Sequence, residues 1–465
     1  MKNDISSFLK AQLLSFLDHQ GEGLQPILLG YSGGADSQAL FHLLLDVKRF
    51  RELDLHLIHV DHQWRPSSTC EANYLKDYAQ RFHVPFHLVT LDPTKIPPTD
   101  IENYFRQQRL EAFYQVYKSI NAGCLMLAHH EDDLAETVFK RLFEGACLTK
   151  LAGLKAKTHL HHMIVLRPLL GCEKQQLLTY LKIHKLEFIE DSTNQDTTYL
   201  RSRQRQKIFP AIESLFGKNA SKNLSKIAKK SAYLELYLEE KTKKYKHHIL
   251  QGPFGWACDF TQEAFQPLEW EYFLKQNFKT LGLSFSYDTL EDLMDKLRSF
   301  EANKRFISKN LEVVVDRGWV FVHSLLLPQK FPDNIIWDGK FCAFESEDFY
   351  WQLTPIQQVA IESSWKDLYI GEVTLELEEG HYQLKDANHD KKAQHKGFSQ
   401  CKVPSFLRSL APIFLKDKQV LSNPWIKTHK KLKEKKGAKL VCWTKNGGIL
   451  NFRGLKSTPL LSSKS

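Results

Sequence analysis

The sequence predicts an α/β protein: an N-terminal doubly wound parallel sheet, a helical middle domain and a small α+β C-terminal domain. Three observations carry this. Short apolar runs alternate with helix-period segments in the first part of the chain, as in βαβ units. The first apolar run ends in a glycine turn that opens a helix. From about Gly217 the character changes to lysine-rich helix and hairpin patterns. The expected domains are 1–216, 217–325 and 337–465, and the segment 325–336, with Pro328 and Pro332, reads as a linker.

The elements follow in order. Residues 1–20 form an amphipathic segment through Phe8, Leu9, Leu13, Phe16 and Leu17; Lys10, Gln12 and Asp18 interrupt any signal-peptide core. Strands are expected at 27–29, 55–60, 86–91 and 124–128, with helices at 37–48, 70–82 and 101–120 between them. Beyond Gly217 come a long lysine-rich helix over 218–249, a helix over 289–299 and a hairpin pairing 311–315 with 319–323. The remainder has short strand-like runs. Between Lys427 and Lys439 stand seven lysines and one glutamate.

The chain has 465 residues and a formal net charge of +10, which favours an anionic partner, nucleic acid first. A membrane surface is the weaker option, because no cationic helix combines a clean apolar face with bulky anchors. No run is long enough to span a bilayer, and a cytoplasmic location is expected. The eight cysteines are scattered with no CxxC pair, which argues against a zinc knuckle, an iron–sulfur site or a disulfide scaffold.

The glycine turn is Ser32-Gly33-Gly34-Ala35-Asp36-Ser37. Strand, glycine turn and helix start together form an anion site, because backbone N–H groups point at the ligand and the helix dipole favours negative charge. Glycine adopts angles closed to other residues and lets a phosphate approach. The turn lacks the Gly-Lys-Ser/Thr ending of the Walker loop, and with it the lysine clamp on the β/γ-phosphates. It carries Asp36 instead, a carboxylate suited to Mg²⁺. Such a site suits cleavage between the α- and β-phosphates at least as well as γ-phosphoryl transfer.

Four further segments carry chemistry. His59-Val60-Asp61-His62 ends the second strand, where a carboxylate can hold a ribose hydroxyl or a metal, or simply cap the strand end. Glu102, Arg106 and Arg109 share one helix face; they read as a surface ion pair, or as arginines facing phosphate. Residues 129–136 hold two histidines and four carboxylates, more than capping a helix needs. A dinuclear metal site and a cationic-amine site with Mg²⁺ both fit these residue types. Glu190-Asp191-Ser192-Thr193-Asn194 is followed by Arg201, Arg203 and Arg205, which read as a phosphate-contact patch or a solvated basic helix start.

Taken together the segments resemble the tRNA(Ile)-lysidine synthetases within the PP-loop ATP pyrophosphatases. The family's SGGxDS turn matches Ser32 to Ser37, and its VDH element matches Val60-Asp61-His62. Its glutamate with two arginines three apart matches Glu102, Arg106 and Arg109, and AHHxDDxxET matches Ala128 to Thr137. Leu151 to Leu154, Arg167-Pro168-Leu169 and Glu190 to Asn194 with Arg201 and Arg205 follow in the family's order. Lys402 to Arg408, before Pro412-Ile413, is similar to the family's C-terminal RNA-recognition domain. The chain departs from the family at Glu144-Gly145-Ala146-Cys147, where Arg-Gly-Ser-Gly is usual, at Leu110, and at Gln63-Trp64.

The resemblance implies a PP-loop, adenine nucleotide alpha hydrolase-like catalytic domain, a tRNA-contacting middle domain and a tRNA-recognition C-terminal domain. It implies that ATP adenylates the C2 oxygen of the wobble cytidine of an isoleucine tRNA, and that free L-lysine then displaces AMP to give lysidine. Asp36, Asp132, Asp133 and Glu136 are the implied catalytic residues. Ser32, Gly33, Gly34, Ala35, Asp36, Ser37 and Asp61 would bind ATP, with Mg²⁺ at Asp36. Arg106, Arg109, His130, Arg201, Arg205 and Arg408 would contact substrate or tRNA(Ile). The implied partners are tRNA(Ile), lysine and ATP, with no membrane, and a monomer or homodimer. The rival readings are a PP-loop tRNA thiolase, which lacks its cysteine cluster here, an amidotransferase-type synthetase, which lacks a glutaminase segment, and a non-catalytic RNA-binding protein.

Overall fold

The computed structural model describes residues 2–444 apart from 22, 64–67, 93, 95, 96, 98–100, 190–199, 309, 325–329, 357–363, 376, 378, 386–396, 418 and 426–436. The chain divides into two compact units, Met1–Leu236 and Tyr237–Ser465.

The first unit begins with α1 (Lys2–Asp18), β1 (Ile27–Gly30), α2 (Ala35–Lys48), β2 (Leu55–Asp61), α3 (Ser68–Arg81) and β3 (Phe86–Thr90). It continues through α4 (Ile101–Ser119), β4 (Cys124–Met126), α5 (Glu131–Phe143), β5 (Lys157–Leu160), β6 (Met163–Leu166) and α6 (Lys174–Ile183). The strand order is β3-β2-β1-β4-β6-β5. All neighbours run parallel except the edge pair β5–β6. The four anticipated strands are there; the β5–β6 hairpin is added.

Alternation along β1 explains why both faces of the sheet are covered. Ile27 and Leu29 join α1, α2 and α6 in one core, through Leu9, Leu13, Leu40, Leu44 and Leu177. Leu28 joins Ile58, Leu125 and Val165 with Ala112 and Phe113 of α4 in the other. The order reverses between β1 and β4, and ligands in such sheets bind at that reversal, beyond the carboxyl ends of the strands. The β1–α2 turn and the start of α5 both stand there.

The unit closes with α7 (Leu200–Arg203), a π-helical turn Gln204–Ile208, α8 (Phe209–Phe216) and α9 (Ala220–Thr242), the lysine-rich helix that continues into the second unit. Leu224 and Ala228 of α9 pack on Leu134 and Val138 of α5.

The second unit contains β7 (Ile249–Gly252), β8 (Gly255–Asp259), α10 (Pro267–Thr280), α11 (Tyr287–Arg298), β9 (Lys304–Ser308), β10 (Leu311–Asp316) and β11 (Trp319–Ser324). The expected hairpin is β10–β11. The helices pack on the antiparallel sheet β7-β8-β11-β10-β9, so this segment is a mixed helix-and-sheet layer. Then follow β12 (Asn334–Trp337), β13 (Cys342–Glu345), β14 (Phe349–Ile356), α12 (Trp365–Tyr369), β15 (Glu372–Leu375), β16 (Gly380–Lys385), β17 (Ile413–Lys416), β18 (Gln419–Ser422) and β19 (Gly437–Thr444). They form two four-stranded sheets, β12-β16-β17-β18 and β13-β14-β19-β15, around a core that includes Trp337, Trp351, Trp425, Tyr369 and Tyr382. No helix among the described residues is long and apolar enough to cross a membrane.

Candidate active site

The β1–α2 turn is built for an anion. Gly33 has φ +79°, and a Cβ there would stand 2.6 Å from Leu75 Cδ2. Gly34 has ordinary extended angles, and a Cβ there would meet nothing closer than 3.5 Å. Its backbone N–H, at the start of α2, donates to Ser32 Oγ at 3.4 Å, and no side chain of its own caps the helix. Ser37 Oγ donates to Gly34 O at 3.0 Å and lies 3.1 Å from Ser32 Oγ. Ile189 N donates to Gly33 O at 2.9 Å, pinning the turn from the far side.

Asp36 lies in the first turn of α2 between the Lys174 amine and the His130 ring. Lys174 Nζ is 3.0 Å from Asp36 Oδ2, and His130 Nε2 is 3.5 Å from the same oxygen. Burial pushes the Asp36 carboxyl upward, but His130 and Lys174 outweigh it and bring it down to about 2. Asp36 Oδ1 is buried and accepts no hydrogen bond from the described residues.

His130 caps α5. Its Nδ1 accepts from Asp132 N at 3.3 Å, and its backbone N donates to Asp133 Oδ2 at 3.0 Å, a reciprocal capping box. The unprotonated Nδ1 leaves the proton on Nε2, which faces Asp36 and, at 3.4 Å, Asp133 Oδ2. Burial lowers the affinity of His130 for a second proton; Asp36 and Asp133 more than restore it, so the net direction is up. The sequence reading sets His130 against substrate; the structure places its ring wholly inside, as the cap.

Asp133 and Glu136 face Arg205 of the π-helical turn. Arg205 Nη2 donates to Asp133 Oδ1 at 2.9 Å and to Glu136 Oε2 at 3.2 Å, and Arg205 Nε donates to Glu136 Oε1. Arg201 Nε lies 4.0 Å from Glu136 Oε2. Glu136 is 1% exposed, and burial holds its carboxyl above the usual range despite the arginine. Arg205, expected against phosphate, therefore rests on carboxylates here.

A basic flank adjoins this acidic one. His129 is held down at about 4 by burial and by the charges of Arg167, Arg201 and Arg109, against the pull of Asp133. His62 is likewise lowered to about 4 by burial and Arg109, and its ring meets Phe105 edge-on at 4.8 Å. Arg167 donates to Lys155 O at 2.8 Å and to Thr158 Oγ1 at 3.0 Å, and its charge senses Arg106. Asp61 is buried at the end of β2 and accepts from Gln63 N at 2.8 Å. Glu102 stands in α4, with its side chain outside the described residues. The motif 190–194 and most of the 427–439 stretch also lie outside them.

Arg408 belongs to the second unit. Its guanidinium donates to Val403 O at 3.0 and 3.3 Å and lies over the Phe398 ring. The departing loop at Glu144 is solvent-facing, with Glu144 paired to Lys140 at 3.8 Å. Sequence reasoning missed Lys174. Its signal is its place, just past the Arg167-Pro168-Leu169 element at the start of a helix that follows a sheet strand.

A glycine turn and an acidic helix start, facing each other at the reversal of a parallel sheet, define a PP-loop nucleotide enzyme, and residues 5–212 match the PP-loop domain family. The chain is 30% identical over 422 residues to the tRNA(Ile)-lysidine synthase of Protochlamydia amoebophila, covering 88% of this chain and 91% of that one. It is 35% identical over 300 residues to the tRNA(Ile)-lysidine synthase of Chlamydia pneumoniae, covering 63% and 91%. The chain belongs to the tRNA(Ile)-lysidine synthase family. Among solved structures it is similar to the U34-tRNA thiolase NcsA of Methanococcus maripaludis, with TM-score 0.42 and 17% identity, covering 50% of this chain and 80% of that one.

Proposed function

We propose that the chain joins free lysine to C2 of the wobble cytidine of a CAU-anticodon isoleucine tRNA, in two steps driven by ATP. The observation that carries this reading is the meeting of the nucleotide turn with the acidic helix start, through Asp36 and His130 at 3.5 Å. One chemistry activates O2 and the other presents an amine to C2, so both must act on the same carbonyl of one base.

In the first step the cytidine O2 attacks the α-phosphorus and pyrophosphate leaves. The N–H groups at the start of α2 face the charge that builds on the leaving group. Asp36 fits Mg²⁺, because its Oδ1 is a buried carboxylate oxygen without a donor, and Mg²⁺ takes one or two carboxylates with substrate phosphates. When bound, the ion would neutralise charge on the phosphates. In the second step the lysine amine attacks C2, AMP leaves, and the amine loses its proton to a carboxylate of Asp132, Asp133 or Glu136. The pairing of Asp133 and Glu136 with Arg205 supports their role as a cation seat. The substrate ammonium would compete for the same oxygens. Arg106, Arg109 and Arg201 suit phosphate or RNA backbone.

The test is incubation with ATP, Mg²⁺, labelled lysine and an unmodified isoleucine tRNA with a cytidine wobble base. Label in the RNA with release of AMP and pyrophosphate is the expected result, and another wobble base should fail. AMP release without label moves the acceptor to another nucleophile. No ATP turnover favours an RNA-binding protein without chemistry.

A further inference from the structure

The second unit holds a cavity of about 730 Å³, lined by one end of its five-stranded sheet and by residues of the segment from 364 to 425. One wall follows from a tight turn. β10 and β11 are joined by Arg317-Gly318, with φ +49° and +87°, and Asp316 pairs with Trp319 across it. A Cβ at Gly318 would stand 2.7 Å from Phe300 Cε1, so the glycine lets the Phe300 ring lie on the turn. Phe300 is 49% exposed and gives the cavity an open aromatic face. Trp319 and Trp365, whose rings meet at 5.2 Å, are nearly buried, and Lys366 Nζ lies over Trp319 at 4.6 Å.

The lining is net positive, with Arg317, Lys366 and Lys402 against Asp259 and Asp316. Both carboxylates are engaged. Asp316 accepts from Asn303 N at 3.1 Å and from Arg317 Nη2 at 2.6 Å; Asp259 accepts from Thr261 N at 3.0 Å and from Lys366 Nζ at 3.3 Å. Arg317 Nη2 also reaches Lys402 O at 3.5 Å, which ties the turn to the segment carrying the exposed Lys402. Trp425 closes the lining with a buried indole N–H that has no acceptor among the described residues, and the chain runs from it into the lysine-rich 427–439 stretch. An open ring, excess positive charge and the exposed amides of Gln262 and Gln400 suit a planar heterocycle that carries a phosphate. An aliphatic chain would leave those polar groups unpaired, and a divalent cation would have to displace Lys366 or Arg317.

We propose that this cavity binds one unstacked nucleotide, with its base on Phe300 and its phosphate against Arg317 and Lys402. A free nucleotide and a splayed residue of single-stranded RNA offer the same chemistry. The proposal is independent of the lysidine reaction, because every residue in it belongs to the second unit.

The experiment uses the full chain with two probes, thiouridine monophosphate and a single-stranded RNA tetranucleotide carrying one thiouridine. Each is crosslinked by near-ultraviolet light over a range of concentrations. Adducts are mapped by mass spectrometry, and affinity is read from the yield at each mapped peptide. Adducts are expected within 300–319 or 400–425. Phe300→Ala should weaken binding there about tenfold, the loss of one base–aromatic stack, and Phe300→Trp should keep it. Lys402→Glu should also weaken it, whereas Lys330→Glu, an exposed charge outside the lining, should match the parent. If Phe300→Ala does not fold, the contrast between Lys402→Glu and Lys330→Glu decides. A tetranucleotide that binds tighter than the monophosphate assigns the site to an RNA strand; one that binds no tighter assigns it to free nucleotide. Adducts confined to the first unit overturn the proposal, as do parental affinity in Phe300→Ala and equal effects of the two lysine variants. Displacement of the tetranucleotide by polyglutamate but not by the monophosphate also overturns it, and marks a seat for acidic peptide.

Discussion

Asp36 is held ionised by two neighbours and keeps one oxygen without a donor, the arrangement a metal-and-phosphate site needs. Asp36→Ala should abolish AMP formation while tRNA binding persists, as read by filter binding beside turnover. Equal loss of both would remove Asp36 from the chemistry. A second residue-scale effect lies away from the site. His42 Nε2 lies 2.8 Å from the Tyr78 hydroxyl, and burial lowers its pKa to about 4, with Asp46 opposing and His184 assisting. The unfolded chain takes up that proton near pH 6.5, so stability falls as pH drops from there towards 4, then levels. His42→Asn should flatten this limb in urea midpoints measured from pH 7 to 4. His62 and His129 are depressed into the same window, so the slope shrinks and does not vanish.

At the scale of elements, the π-helical turn after α7 is tied to α5 through Arg205. Arg205→Met leaves the buried Glu136 without its main donor and should cost about 1–3 kcal/mol, read as a lower urea midpoint. An unchanged midpoint would mean that Glu136 finds another partner or a proton. What the sequence makes legible follows from the range of each interaction. The turn at Gly33 and the cluster from His129 to Glu136 are readable because their geometry is set within a few residues. The approach of Lys174 to Asp36 spans 138 positions, and that of Arg205 to Glu136 spans 69, so neither leaves a local period. His130 shows the same limit: the resemblance implies substrate contact, and packing adds that the ring caps α5. The β5–β6 hairpin and the bounds and pairings of the short C-terminal strands escape the sequence reading, because runs of four residues hold too few positions to set a period. Longer hydrophobic runs, as at β10 and β11, do not escape it.

For the whole molecule, the net charge of +10 favours an anionic partner such as the proposed tRNA, and the 427–439 stretch concentrates it. Neutralising its lysines should weaken tRNA binding and flatten the slope of log affinity against log salt, by about 0.7–0.9 for each phosphate that is no longer neutralised. Lys439 should contribute least, because it pairs with Glu372 at 2.7 Å on the neighbouring strand β15. An unchanged slope would make the stretch a bystander. The capping box of α5 has a consequence for anyone breeding a hardier version of this chain. Asp133 closes the helix start and holds Arg205, and in the proposed reaction it also seats the substrate amine, so one side chain would answer to two selections. A library screened for heat tolerance alone can improve most of the molecule freely, but at this turn thermal gain and turnover will trade against each other, and survivors should carry their changes elsewhere.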